Sequence, residues 1–322
     1  MLTEDEKTNW LEKGYTVVKN KIDPELLNNS CDYLKKLFNE GHIVCRDFGS
    51  DGKLEFPSNT IIDQISINEN VIQCVQQLLD TPNILLVQCD TWGKKGCYDL
   101  STHSNNDQRM HMDYGNNMFL HPPDWNNPEA VAAIVYLSDV NDTEGGTALV
   151  PKEGASDPLY KPPYMNMPGI NKYKFITDKI NAEKYFKENH SEVYDFRQQL
   201  YERELKLSPA CGDILFYRLD LWHRGTPVKY GKVRFVMNLL WKKKECFWIN
   251  QWNPGWTKNM YYGEIEKLFT EMTPIQRSIL GIPLPGDKYW NIENINLLKV
   301  RYPTIDITPY INKLQSNIQS KL

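Results

Sequence analysis

Arg109-Met110-His111-Met112-Asp113-Tyr114-Gly115 is the stretch from which the chain is read. Side chains of an extended segment alternate, so His111 and Asp113 share one face. An imidazole nitrogen and a carboxylate oxygen can then meet on one metal ion. Two ligands do not make a site, and a third is expected in Leu221-Trp222-His223-Arg224-Gly225-Thr226-Pro227. There His223 follows a strand-like run, Asp213-Ile214-Leu215-Phe216-Tyr217. Eleven residues beyond it lies Arg234, in Lys232-Val233-Arg234-Phe235-Val236-Met237-Asn238-Leu239-Leu240.

This last run has two unlike faces. Val233, Phe235, Met237 and Leu239 are all apolar, whereas Arg234, Val236 and Asn238 are mixed. The apolar face is expected to pack on covering helices and the mixed face to line an interior. A buried guanidinium needs a carboxylate partner, and its planar fork suits one. Two histidines and one carboxylate leave the remaining metal positions open, as in the facial triad of non-haem Fe(II) oxygenases. Triad and arginine together read as Fe(II) plus 2-oxoglutarate.

Strands are expected near residues 83–92, 108–114, 130–138, 146–151, 205–207, 213–218 and 232–242. No helical period interrupts 83–151, which excludes a βαβ repeat. The expected fold is mainly β with flanking helices, a double-stranded β-helix or cupin-like jelly roll. Residues 1–82 read as an N-terminal helical support, 83–245 as the catalytic core, and 246–322 as an aromatic-rich helical extension of one structural unit. Thr3 and Glu6 predict a capping box, and Asp23-Pro24 a capped helix start. Residues 69–80 and 178–204 read as helical, 263–280 as a helix pair, and 281–310 as proline-rich and irregular.

The order His-x-Asp, distal His and following Arg resembles the phytanoyl-CoA dioxygenase-like branch of the Fe(II)/2-oxoglutarate-dependent oxygenases. Trp10-Leu11-Glu12-Lys13-Gly14-Tyr15-Thr16-Val17-Val18 looks like that family's opening helix and strand. Asp139-Val140-Asn141-Asp142-Thr143-Glu144-Gly145-Gly146-Thr147 looks like its hairpin, and Cys211-Gly212-Asp213 like its Gly-Asp turn. The resemblance implies a hydroxylase that takes a small-molecule substrate, 2-oxoglutarate and O₂, and releases succinate and CO₂. It implies metal ligation by His111, Asp113 and His223, and co-substrate contacts from Arg234, Thr226 and Gln88. A carboxylate at position 113 separates the chain from related halogenases, where a small residue leaves room for halide. Two departures stand out. Gly225 occupies the place of a small hydroxyl residue, which Thr226 follows, and Pro151-Lys152-Glu153-Gly154 replaces a Pro-Gly-Ser-His. Either 152–175 or 247–262 is expected to cover the site.

The formal net charge of −4 gives no electrostatic footprint for nucleic acid. The acidic start, Met1-Leu2-Thr3-Glu4-Asp5-Glu6, is not a secretory signal. The apolar run from Ala130 to Leu137 is far below the ~18 residues of a membrane span. A cytoplasmic protein is expected. The seven cysteines form no Cys-x-x-Cys pair and read as reduced thiols. His190-Ser191-Glu192 is a decoy, because i and i+2 do not share a helix face. His42, His103 and His121 read as loop residues. Three alternatives remain open: an oxygenase of a protein or nucleic-acid group, a cupin-like metal protein without 2-oxoglutarate, and a non-catalytic barrel.

Overall fold

The computed structural model describes residues 1–37, 53–55, 58, 60–96, 107–114, 118, 120–161, 166–170, 173–249, 269–279 and 282–319. His42, His103, Cys45, Cys97 and the aromatics Trp252, Trp256, Tyr261 and Tyr262 lie outside these residues. The described strands are β1 (Tyr15–Val18), β2 (Lys53–Glu55), β3 (Ile84–Lys95), β4 (Ala130–Tyr136), β5 (Thr147–Leu149), β6 (Leu205–Lys206), β7 (Ile214–Tyr217), β8 (His223–Gly225) and β9 (Val233–Lys243). They form a six-stranded sheet, β1-β7-β4-β9-β3-β2, and a three-stranded sheet, β6-β5-β8. Every pairing between these strands is antiparallel. The expected jelly-roll layout is what forms.

The alternation in β9 decides how the large sheet is covered. Phe235, Met237, Leu239 and Trp241 join Val131, Ala133, Val135, Ile214 and Phe216 in one apolar cluster. Trp10, Leu34, Val71, Val75 and Leu78 from three N-terminal helices complete it. Each fully buried side chain of this kind contributes about 1.5–3 kcal/mol, so the helices are part of the sheet's own core. Their ends follow local chemistry. Thr3 and Glu6 close a capping box on helix Glu4–Lys13, which stops at Gly14 with φ +88°. A Cβ at Gly14 would meet Leu221 at 2.7 Å, so both backbone and space require glycine there. Asp23 caps helix Pro24–Leu37 by accepting from the Glu25 and Leu26 amides at 2.9 and 3.1 Å. Val71, Val75, Leu78 and Leu79 give helix Glu69–Leu79 its buried stripe.

Two expectations are corrected and a third is refined. The 178–204 segment is helical as expected, in two helices, Lys179–Asn189 and Ser191–Glu202. They part at His190, whose φ of −151° breaks the helical path. Only Gln108 and His111 of the 108–114 segment make bridges, while Asp113 and Tyr114 are helical. The 281–310 tail is not irregular throughout, because Ile292–Arg301 is a helix and Thr308–Gln319 follows it. Asn291 caps the first by accepting from the Asn294 amide at 2.8 Å, and Ile295, Leu297 and Leu298 are its buried anchors. Prolines up to Pro285 masked a helical period that starts only after them.

The chain divides into two compact units. One comprises Met1–Met112, Glu129–Tyr160 and Ile176–Lys244, and holds both sheets. The other comprises Asp113–Pro128, Lys161–Phe175 and Glu245–Leu322. Its packing is aromatic: Trp290 lies 4.6 Å from Tyr310, and the Tyr289 hydroxyl donates to the His121 carbonyl at 2.9 Å. No helix among the described residues is long and apolar enough to cross a membrane.

Candidate metal centre

His111 and His223 face each other across an antiparallel bridge. The His111 amide donates to the His223 carbonyl at 3.0 Å, and the His223 amide returns the bond at 2.9 Å. Their imidazole rings are 4.4 Å apart. Each Nδ1 lies against a carbonyl two residues back, Arg109 at 3.1 Å and Leu221 at 2.9 Å. A carbonyl can only accept, so each Nδ1 carries the proton and each Nε2 presents a lone pair. Asp113 arrives from the helical turn after His111, and the three ligand atoms lie within 4.8 Å of one another. Sequence alternation placed this carboxylate beside His111 on a strand face; the structure brings it there by a turn. Among the described residues no other group of three such side chains gathers.

The two histidines are buried and Asp113 is half-buried. Burial holds His111 well below the usual imidazole range, and the neighbouring His223 and Arg109 add to this. A neutral imidazole is the metal-binding form. The approach to His223 is fixed by the turn Pro158–Tyr160. Trp222 donates its ring nitrogen to the Leu159 carbonyl at 2.8 Å and its amide to the Tyr160 hydroxyl at 3.1 Å.

Arg234 lies on the inner face of the large sheet, opposite the apolar cluster, and is 5% exposed. It donates to the Gly145 carbonyl, and its guanidinium carbon stands 5.8 Å over the Trp92 ring. Its Nε has no hydrogen-bond partner, and no carboxylate among the described residues pairs with it. Burial lowers its affinity for the proton, yet a guanidinium stays charged in proteins. Directly across the β3–β9 ladder is Lys94, also buried, whose Nζ donates to the Thr226 carbonyl at 3.2 Å. Burial and then Arg234 hold Lys94 well below its ordinary pKa. Beside them, the Tyr136 hydroxyl bonds Thr147 Oγ1 at 2.7 Å and joins β4 of the large sheet to β5 of the small one. Tyr217 on the same inner face has its ring 4.9 Å from that of His223, the two planes tilted by 58°.

The weaker expectations fare differently. Thr226 is next to this cluster, but its hydroxyl donates to the Gly146 carbonyl at 2.7 Å, so only its lone pairs remain for a ligand. Gln88 shares the inner face because a register shift after Leu86 turns it inward. It is six residues from Lys94, roughly 20 Å along the strand, and donates to Asp90 at 2.9 Å. The structure therefore does not bring Gln88 to Arg234. His190 is structural, bonded to the Tyr185 hydroxyl at 3.1 Å. Lys94 and Tyr136 were not singled out from the sequence. Period two along Gln88, Asp90, Trp92 and Lys94 was the available signal for Lys94; Tyr136 reads as one more apolar strand residue.

Two imidazoles and a carboxylate are an N,N,O donor set suited to Fe(II), with coordination positions left over. The orphaned guanidinium fits a bound carboxylate. No family model and no curated relative matches the sequence. Solved structures do match. SnoK, a non-heme alpha ketoglutarate dependent carbocyclase from nogalamycin biosynthesis, is similar over 75% of this chain and 84% of its own, with TM-score 0.51 and 11% identity. The epimerase SnoN, in complex with Fe3+, alpha ketoglutarate and nogalamycin RO, is similar over 77% and 86%, with TM-score 0.51 and 11% identity. HygX from Streptomyces hygroscopicus, with nickel and 2-oxoglutarate bound, is similar over 79% and 90%, with TM-score 0.50 and 14% identity. The chain thus has the cupin-like jelly-roll fold that these 2-oxoglutarate enzymes share.

Proposed function

We propose that this chain is an Fe(II)- and 2-oxoglutarate-dependent oxygenase of the phytanoyl-CoA dioxygenase-like kind, hydroxylating a small organic molecule and releasing succinate and CO₂. The observation that carries this reading is a buried, unpaired guanidinium on the same jelly-roll interior as a His-Asp-His cluster. His111 Nε2, Asp113 and His223 Nε2 would hold the metal. Iron bound there supplies O₂ activation coupled to oxidative decarboxylation of the co-substrate. The remaining tasks fall to the protein. Arg234 receives the far carboxylate of 2-oxoglutarate, with the Lys94 amine across the ladder as a further N–H donor beside it. The carbonyls of Arg109 and Leu221 lock both imidazoles in the ligating tautomer. Tyr136 and Thr147 close the space beside Arg234 and keep water from its guanidinium.

SnoK is a carbocyclase and SnoN an epimerase, so this fold also hosts reactions other than hydroxylation. Asp113 completes the ligand set and so argues against halogenation; among the remaining oxidations, hydroxylation is the reading adopted here. The deciding experiment is an anaerobic Fe(II) titration with and without 2-oxoglutarate, followed in the visible range. A metal-to-ligand charge-transfer band that needs both components supports iron and co-substrate together. Iron binding with no band removes the co-substrate and leaves the cupin-like metal protein.

A further inference from the structure

Cys31 and Cys211 are 180 positions apart, yet their sulfurs lie 3.4 Å from each other. Both are free thiols. Cys31 is on helix Pro24–Leu37, buried, with its sulfur also 3.4 Å from the Leu137 carbonyl. Cys211 is partly exposed, in the turn before β7. That turn is held firmly against the helix. Gly212 has φ +91°, and a Cβ there would meet Leu27 Cδ2 at 2.6 Å. Leu27 and Cys31 are i and i+4, so one helix face grips the turn and presents the thiol. A disulfide bond is about 2.05 Å long, so the sulfurs need close by only roughly 1.4 Å.

The two thiols are unequal. The contact with Cys31 lowers the Cys211 pKa, and Lys35 helps. The same contact and burial raise that of Cys31. Cys211 is also the more exposed of the two, so it is the sulfur that a peroxide reaches first.

We propose that Cys31 and Cys211 form a redox-modification site, in which a hydroperoxide converts the pair into a disulfide linking the N-terminal helix to the turn that leads into β7. The Cys211 thiolate attacks one peroxide oxygen, the O–O bond breaks, and the leaving oxide takes a proton to become water or alcohol. Cys211 is then a sulfenic acid. Cys31 attacks its sulfur, the S–O bond breaks, and the departing hydroxide takes the Cys31 proton as water. Two thiols lose two electrons and the peroxide gains them. The bond closes a loop of some 180 residues, long enough to restrict the unfolded chain strongly.

The test treats the full chain as purified with a few equivalents of hydrogen peroxide, blocks remaining thiols, and maps peptides by mass spectrometry. The expected result is one linked peptide pair, Cys31 with Cys211, that a phosphine reductant separates. Tm should rise by about 5–10 °C on oxidation and return on reduction. Cys211→Ser and Cys31→Ser should each abolish the linked pair; should either variant fold poorly, the wild-type map decides alone. Sulfinic acid on Cys211 with Cys31 still alkylated would overturn the proposal. So would a Cys211 bond to any other cysteine, or a Cys31–Cys211 bond without a Tm gain, which would mean that the native geometry must distort to form it. Metal and 2-oxoglutarate binding enter neither readout.

Discussion

Two buried arginines of this protein live under opposite conditions. Arg197, on helix Ser191–Glu202, is fully buried and fully answered. Glu183 accepts from its Nε at 2.9 Å and from its Nη2 at 2.7 Å, and the Met110 carbonyl accepts at 3.2 Å. Arg218 is closed in the same way by Asp220, and Arg224 by Glu204. Arg234 has a carbonyl, an aromatic face and a Nε with nothing to bond. Taking a charge out of water costs several kcal/mol unless it is paired. Arg197, Arg218 and Arg224 are answered by the chain's own carboxylates, whereas Arg234, on the interior face that the His-Asp-His cluster shares, is placed to meet a carboxylate that arrives from outside.

The metal ligands give the sharpest way to break this contrast. His111→Ala and Asp113→Ala should each lower 2-oxoglutarate turnover at least about a thousandfold, with the circular dichroism of the folded chain retained. Turnover near the wild-type rate in either variant would falsify the ligand assignment, and the Arg234 guanidinium would then need another anion.

The arginines themselves come next. Glu183→Gln should destabilise the protein by about 3–5 kcal/mol, because it strands a buried guanidinium. Arg234→Met should do the opposite to the ligand-free protein, leaving denaturant stability unchanged or raised by up to about 4 kcal/mol. Its cost should appear in binding instead. Loss of one partner of a buried charge pair is worth about 2–5 kcal/mol, so apparent 2-oxoglutarate affinity should fall roughly thirtyfold to several thousandfold. In the wild type, 2-oxoglutarate at a hundred times its Kd should add about 2.7 kcal/mol of stability; Arg234→Met should show almost none of this at the same concentration. Equal destabilisation by the two substitutions would mean that Arg234 is structural after all.

How far the sequence reached follows the same division between local and non-local chemistry. Period two in β9 announced which face meets the helices, because every odd residue from Val233 to Leu239 is apolar. Thr3-Glu6 and Asp23-Pro24 announced helix starts, because caps are satisfied within a few residues. Asp113 was named rightly as a neighbour of His111 but given strand geometry, since a turn and a strand can present the same two residues. Gln88 illustrates what is out of reach: a one-residue bulge after Leu86 decides its face, and nothing in the residues around it encodes the bulge. The Cys31–Cys211 contact is likewise a product of the tertiary fold.

His121 shows why a buried charge without a carboxylate partner points to an arginine in particular. It too is buried, at 1% exposure, with no carboxylate among the described residues paired to it. Burial first, then the charge of Arg301, pushes its pKa down to about 3. A histidine escapes its burial penalty by shedding the proton; a guanidinium cannot. The escape has a measurable signature. The unfolded chain's histidine takes up a proton near pH 6.5, whereas folded His121 stays neutral until about pH 3. The unfolded state therefore binds more protons in this window, and stability falls as pH falls through it, by up to about 1.4 kcal/mol per pH unit for this one group. His121→Gln should flatten the acid slope of denaturant stability between pH 6 and 4 by roughly that amount and leave stability at pH 8 less affected. An unchanged slope would mean that His121 is charged in the fold, and its environment would then have to supply the anion that the surroundings of Arg234 lack.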